Sequence, residues 1–150
     1  MDKTVECKNG RITYISRSLE DTSYLAGKIA EKLKGGEVIL LSGDLGAGKT
    51  TFTKFLAKHL GVEELVTSPT FTFMKEYKGR LSLYHFDMYR AADEDELYEL
   101  GLNEYLYMNG VCVIEWNKFE DVPNRIDIDI TTLDNGLDRE FVIKGIDVEV

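Results

Sequence analysis

Gly43, Gly48, Lys49 and Thr50 satisfy the spacing G-x-x-x-x-G-K-[ST] within EVILLSGDLGAGKT, residues 37–50. That combination suits the binding of a nucleoside triphosphate. A triphosphate needs several donors converging on its oxygens. The backbone amides of Gly43, Asp44, Leu45, Gly46, Ala47 and Gly48, followed by those of a new helix, supply them without side chains. Lys49 then reaches the β- and γ-phosphates as a point charge, Thr50 offers its hydroxyl to Mg2+, and Thr51 closes the binding segment.

Two carboxylates extend this chemistry. Glu115 closes the apolar run VCVIE. In an open α/β sheet ligands gather outside the carboxyl ends of the strands, so Glu115 can approach Mg2+ beside the loop or hold the attacking water. A helix cap or a local salt bridge is the plain alternative. Asp87 lies in LYHFDMY, residues 83–89, where strand alternation turns His85, Asp87 and Tyr89 to one side and Tyr84, Phe86 and Met88 to the other. A solvated sheet face gives the same pattern, so alternation leaves catalytic or metal-holding roles for Asp87 and His85 open. Thr70, in SPTF after the loop's helix, stands where P-loop proteins commonly sense the γ-phosphate; a proline turn fits the same residues.

Positioning these groups requires a sheet and its helices. Val38 to Leu41 form a short apolar run suited to a buried strand, and Phe52, Phe55, Leu56 and Leu60 make one stripe of the following helix. RITYISR, residues 11–17, reads as a strand. Ser18 and Asp21 form a capping box for a helix running to about Lys34, with Thr22, Leu25, Ala26, Ile29, Ala30 and Leu33 on one face and Gly35-Gly36 as its stop. FTFMKEY (71–77) and LSLYHFDMY (81–89) flank KGR as a hairpin, and AADEDELYEL and LNEYLYM read as short helices. Finally, RIDIDITTL and REFVIKGIDVEV flank Asn135-Gly136 as a second hairpin, with Arg139 at the start of the returning strand. The expected class is α/β: a P-loop NTPase-like mixed sheet with flanking helices and added antiparallel hairpins, residues 1–150 forming a single P-loop domain.

The composition narrows the partners. A formal net charge of -9 argues against broad electrostatic binding to a nucleic acid backbone, though not against a protein partner that holds RNA. Cys7 and Cys112 suggest neither a disulfide scaffold nor zinc. No apolar signal or membrane span is visible, so a cytoplasmic protein is expected. The acidic run Asp93 to Glu96 suits helix capping and solvation, with a basic partner as the alternative.

NKFE, residues 117–120, directly follows the VCVIEW strand, the wrong place for a guanine-reading motif, and no DxxG segment precedes it; a GTPase is therefore disfavoured. A small-molecule kinase is the stronger rival, but it needs an acceptor pocket and usually closing arginines, and no arginine-rich lid is evident. A nucleotide-binding module without turnover is the third class.

GDLGAGKTTF, SPTF, LYHFDMYR and VIEW, in that order, resemble the bacterial TsaE family, formerly called YjeE, the ATPase of tRNA threonylcarbamoyladenosine synthesis. The resemblance runs from about Ser18 to Arg139. It implies a Mg2+-dependent enzyme that binds ATP and ADP and works with the TsaB and TsaD proteins. Its hydrolysis supports repeated modification of the adenosine beside the anticodon, and tRNA is met only through the complex. The isolated chain is expected to be monomeric or weakly self-associating. The family's phosphate loop falls on Gly43 through Thr50, its switch-like threonine on Thr70, its aspartate on Asp87 and its glutamate-tryptophan pair on Glu115 and Trp116. An arginine near the adenine falls at about Arg139. Asn117 stands where many relatives have proline, while the carboxylate position before it is retained.

Overall fold

A strand that is apolar at every position from Val38 to Leu41 exposes hydrophobic side chains on both faces, so helices must cover both. The computed structural model describes residues 5–44, 46–69 and 72–150. Among them the strands β1 (Val5–Lys8), β2 (Arg11–Ser16), β3 (Val38–Ser42), β4 (Met74–Tyr77), β5 (Leu83–Asp87), β6 (Val111–Glu115), β7 (Arg125–Thr132) and β8 (Arg139–Lys144) join one eight-stranded sheet. Its order is β1-β2-β8-β7-β3-β6-β5-β4. The central strands β7, β3, β6 and β5 are parallel, and antiparallel pairs extend the sheet on both sides.

Helices α1 (Leu19–Lys32) and α2 (Lys49–His59) cover one face. Leu25, Ile29, Phe52, Leu56 and Leu60 are fully enclosed there against Ile39, Val113, Ile128 and Phe141. Each such side chain contributes about 1.5–3 kcal/mol by leaving water. On the other face, Val38, Leu40, Cys112 and Ile114 pack with Leu97 of α3 (Glu94–Glu99) and with Leu102 and Leu106 of a 3-10 helix (Leu102–Tyr107).

Helix α1 starts as its capping box predicts: Ser18 Oγ accepts from the Asp21 amide at 3.1 Å, and Asp21 Oδ2 accepts from the Arg17 amide at 2.8 Å. It ends at Lys32, short of Lys34, where the Arg80 guanidinium donates to Ala30 O at 2.8 Å and to Leu33 O at 3.4 Å. An arginine from a distant loop thus satisfies the last carbonyls.

Three features differ from the sequence expectation. Strand β1 was not expected, because its solvent-facing side chains carry no hydrophobic alternation; Asn9 and Gly10, both at positive φ, make the turn into β2. The Asn135-Gly136 connection is wider than a two-residue hairpin, since β7 ends at Thr132 and β8 starts at Arg139; Asn135 Oδ1 accepts from the Leu137 and Asp138 amides. The first hairpin's strands are also shorter, starting at Met74 and ending at Asp87, so Tyr89 lies beyond the sheet.

Candidate active site

Three parallel strands end together. Leu41 of β3 and Asp87 of β5 are both register partners of Glu115 on β6. The glycine loop after β3 therefore lies at the same edge as the carboxylates that close β5 and β6. Neighbouring parallel strands in register turn paired side chains to the same face, so Asp87 and Glu115 share the face covered by α2.

The loop's glycines have separate reasons. Gly43 has φ +147, and a Cβ there would lie 2.5 Å from Ile130 O, so close passage against β7 requires glycine. At Gly46 (φ +81) and Gly48 (φ +109) a Cβ would meet no atom within 4 Å. Protein packing does not demand glycine at those two; backbone shape does, as in a cradle for an anion. Helix α2 has no side-chain cap at Gly48 and no acidic residue in its first turn, leaving its positive end unneutralised. Ala47 is buried, its amide donating to Asp44 O at 3.0 Å, while Asp44 and Gly46 are exposed and Thr50 and Thr51 half-buried. Leu45 lies outside the described residues.

Lys49 is buried. Its Nζ donates to Gly43 O at 2.7 Å and lies 3.9 Å from the centroid of the Trp116 ring. Trp116 itself has φ +57, rare for a bulky residue, and meets Tyr89 edge-on at 5.1 Å.

Glu115 and His85 form a buried pair, with His85 Nε2 2.6 Å from Glu115 Oε2. Asp87 is half-buried and its Oδ1 accepts from the Tyr89 amide at 3.0 Å. The structure thus brings together Gly43, Gly48, Lys49, Glu115 and Trp116, and sets Asp87 beside Glu115 in register. Thr70 lies outside the described residues. Arg139 reaches the loop from β8, its Nε donating to Ala47 O at 3.1 Å. It also lines a cleft of about 360 Å3 with Ser18, Leu19, Gly48, Thr51 and Leu137. Sequence reasoning did not foresee the Lys49–Trp116 contact or the His85–Glu115 bond; for the latter, alternation already put His85 and Asp87 on one side.

Among the described residues no three His, Cys, Asp or Glu side chains converge on one point. Mg2+ in phosphate sites is generally held by one or two carboxylates together with substrate oxygens, so Thr50, Glu115 and Asp87 suit an ion that enters with a nucleotide. The open cradle at Gly46 and Gly48 fits the accompanying phosphates.

The family model for TsaE, the threonylcarbamoyl adenosine biosynthesis protein, matches residues 16–141. The chain belongs to the TsaE family. The Treponema pallidum TsaE is 47% identical over 104 residues, covering 69% of this chain and 77% of that protein. For the Aquifex aeolicus TsaE, identity is 46% over 125 residues, covering 80% and 86%. The crystal structure of Bacillus subtilis YdiB superposes with a TM-score of 0.72 at 38% identity, covering 95% of this chain and 87% of that one. TsaE membership places the chain in tRNA threonylcarbamoyladenosine biosynthesis, and the mixed sheet flanked by helices agrees with a P-loop NTPase-like α/β fold. No helix among the described residues is long and apolar enough to cross a membrane.

Proposed function

We propose that this chain is a Mg2+-dependent ATPase that supports TsaB and TsaD through repeated cycles of threonylcarbamoyladenosine modification of tRNA. The observation that carries the reading is the common edge at which the glycine loop, Asp87 and Glu115 end three parallel strands.

Binding starts with the backbone amides from Gly43 to Thr51, which cradle the phosphates. Lys49 leaves the Gly43 carbonyl and the Trp116 ring to meet the β- and γ-oxygens, exchanging a weak partner for a charged one. Thr50, Glu115 and Asp87 would hold Mg2+, which supplies charge neutralisation on the transferring phosphoryl group. Glu115 and Asp87 also orient the attacking water, and Thr70 senses the γ-phosphate. Arg139 and the cleft beside it offer the base a place next to Gly48 and Thr51.

Multiple-turnover tRNA modification by TsaB and TsaD, with and without this chain and with ATP hydrolysis measured in parallel, tests the reading. Association, stimulated hydrolysis and more rounds of modification are expected. Nucleotide-dependent phosphorylation of a small metabolite would instead indicate a kinase.

A further inference from the structure

His85 is fully enclosed on β5, level with Val113 of β6 and Lys75 of β4. Its one hydrogen bond among the described residues joins Nε2 to Glu115 Oε2 at 2.6 Å; Nδ1 has no partner. An unpaired N–H in a core is costly, whereas a bare ring nitrogen forfeits only an acceptor site. The favoured tautomer therefore carries its proton on Nε2 and donates to the carboxylate.

Glu115 is nearly enclosed and has several rotatable bonds. With Oε2 engaged by the imidazole, Oε1 is the oxygen left for another partner. No hydrogen bond holds Oε1 among the described residues, and it is not among the enclosed atoms without a partner. From this geometry we infer that His85 is a positioning residue: it fixes which oxygen of Glu115 is presented to the Mg2+-nucleotide and in which direction. A histidine that served packing alone would leave the carboxylate free to turn.

The inference rests on Glu115 having the place proposed above, and the test separates the two. Gln at position 85 can bring an amide N–H near the position of Nε2, whereas the shorter Asn cannot; both are uncharged and polar. His85→Gln is expected to retain most partner-stimulated hydrolysis, and His85→Asn to lose about 10–100-fold in kcat with KM for ATP little changed. Adding His85→Asn to Glu115→Gln should cause little further loss, because the histidine acts through the carboxylate.

A second readout needs no turnover: calorimetric ADP affinity with and without Mg2+. His85→Asn should lose the Mg2+-dependent gain and keep the Mg2+-free affinity, and His85→Gln should keep both. Equal behaviour of the two variants, or fully multiplicative losses in the double variant, would overturn the positioning role. If the wild-type chain shows no hydrolysis with TsaB and TsaD, the ATPase reading fails and the calorimetric comparison still decides the role of His85.

Discussion

The ammonium of Lys49 sits 3.9 Å from the centre of the Trp116 ring while donating to Gly43 O at 2.7 Å, so the loop's buried cation has partners within the protein. A cation–π contact of this kind is worth about 1 kcal/mol, too little to hold the lysine against a polyphosphate.

Nucleotide binding should therefore change the emission of Trp116, the chain's one tryptophan. A stopped-flow fluorescence titration with ADP should show a saturable change in the wild type. Lys49→Ala should weaken binding at least tenfold and lose that change at matched occupancy.

The two kinds of glycine should separate stability from binding. Gly43→Ala drives a Cβ into Ile130 O and should destabilise the fold by about 3 kcal/mol. Gly46→Ala meets only backbone strain, about 1 kcal/mol, or roughly 2–4 °C in Tm, yet should lose most nucleotide affinity. Thermal melts and calorimetry on both variants check this.

Glu115→Gln keeps the side chain's shape and an oxygen acceptor for His85, so the fold should persist. Hydrolysis should fall by about 100-fold, and chelating Mg2+ should abolish it in the wild type. Undiminished turnover of Glu115→Gln at saturating Mg2+ would remove this carboxylate from the mechanism. Asp87→Asn should fall less if its role is to orient hydration.

Burial pushes the Cys112 thiol from 9.0 up to about 12. The folded state keeps the proton after the unfolded chain has lost it. That contribution is complete below pH 9 and is lost between pH 9 and 12 at about 1.4 kcal/mol per unit. Alkaline melts of Cys112→Ala should show a correspondingly flatter loss. At pH 8 a thiol reagent should label exposed Cys7 quickly and Cys112 only on unfolding.

The loop and its helix were legible because their signal is local: the spacing of Gly43, Gly48, Lys49 and Thr50 needs only the strand before and the helix after. The buried face of α1 was legible for the same reason, its periodicity naming Leu25, Ala26 and Ile29. The His85–Glu115 bond was not, because it depends on the parallel register of β5 with β6, set by pairing between distant segments. Nor was β1, whose outward side chains give alternation nothing to report.

Strand β2 touches only β1 and β8 within the sheet, and β8 alone links that hairpin to β7. During synthesis the β1–β2 hairpin must wait for residues 139–144 before it can join the sheet. The same strand delivers Arg139 to the Ala47 carbonyl. A nascent chain paused before residue 139 would thus have made its entire glycine loop without this brace, and on the proposed function its ability to retain nucleotide should appear late in translation.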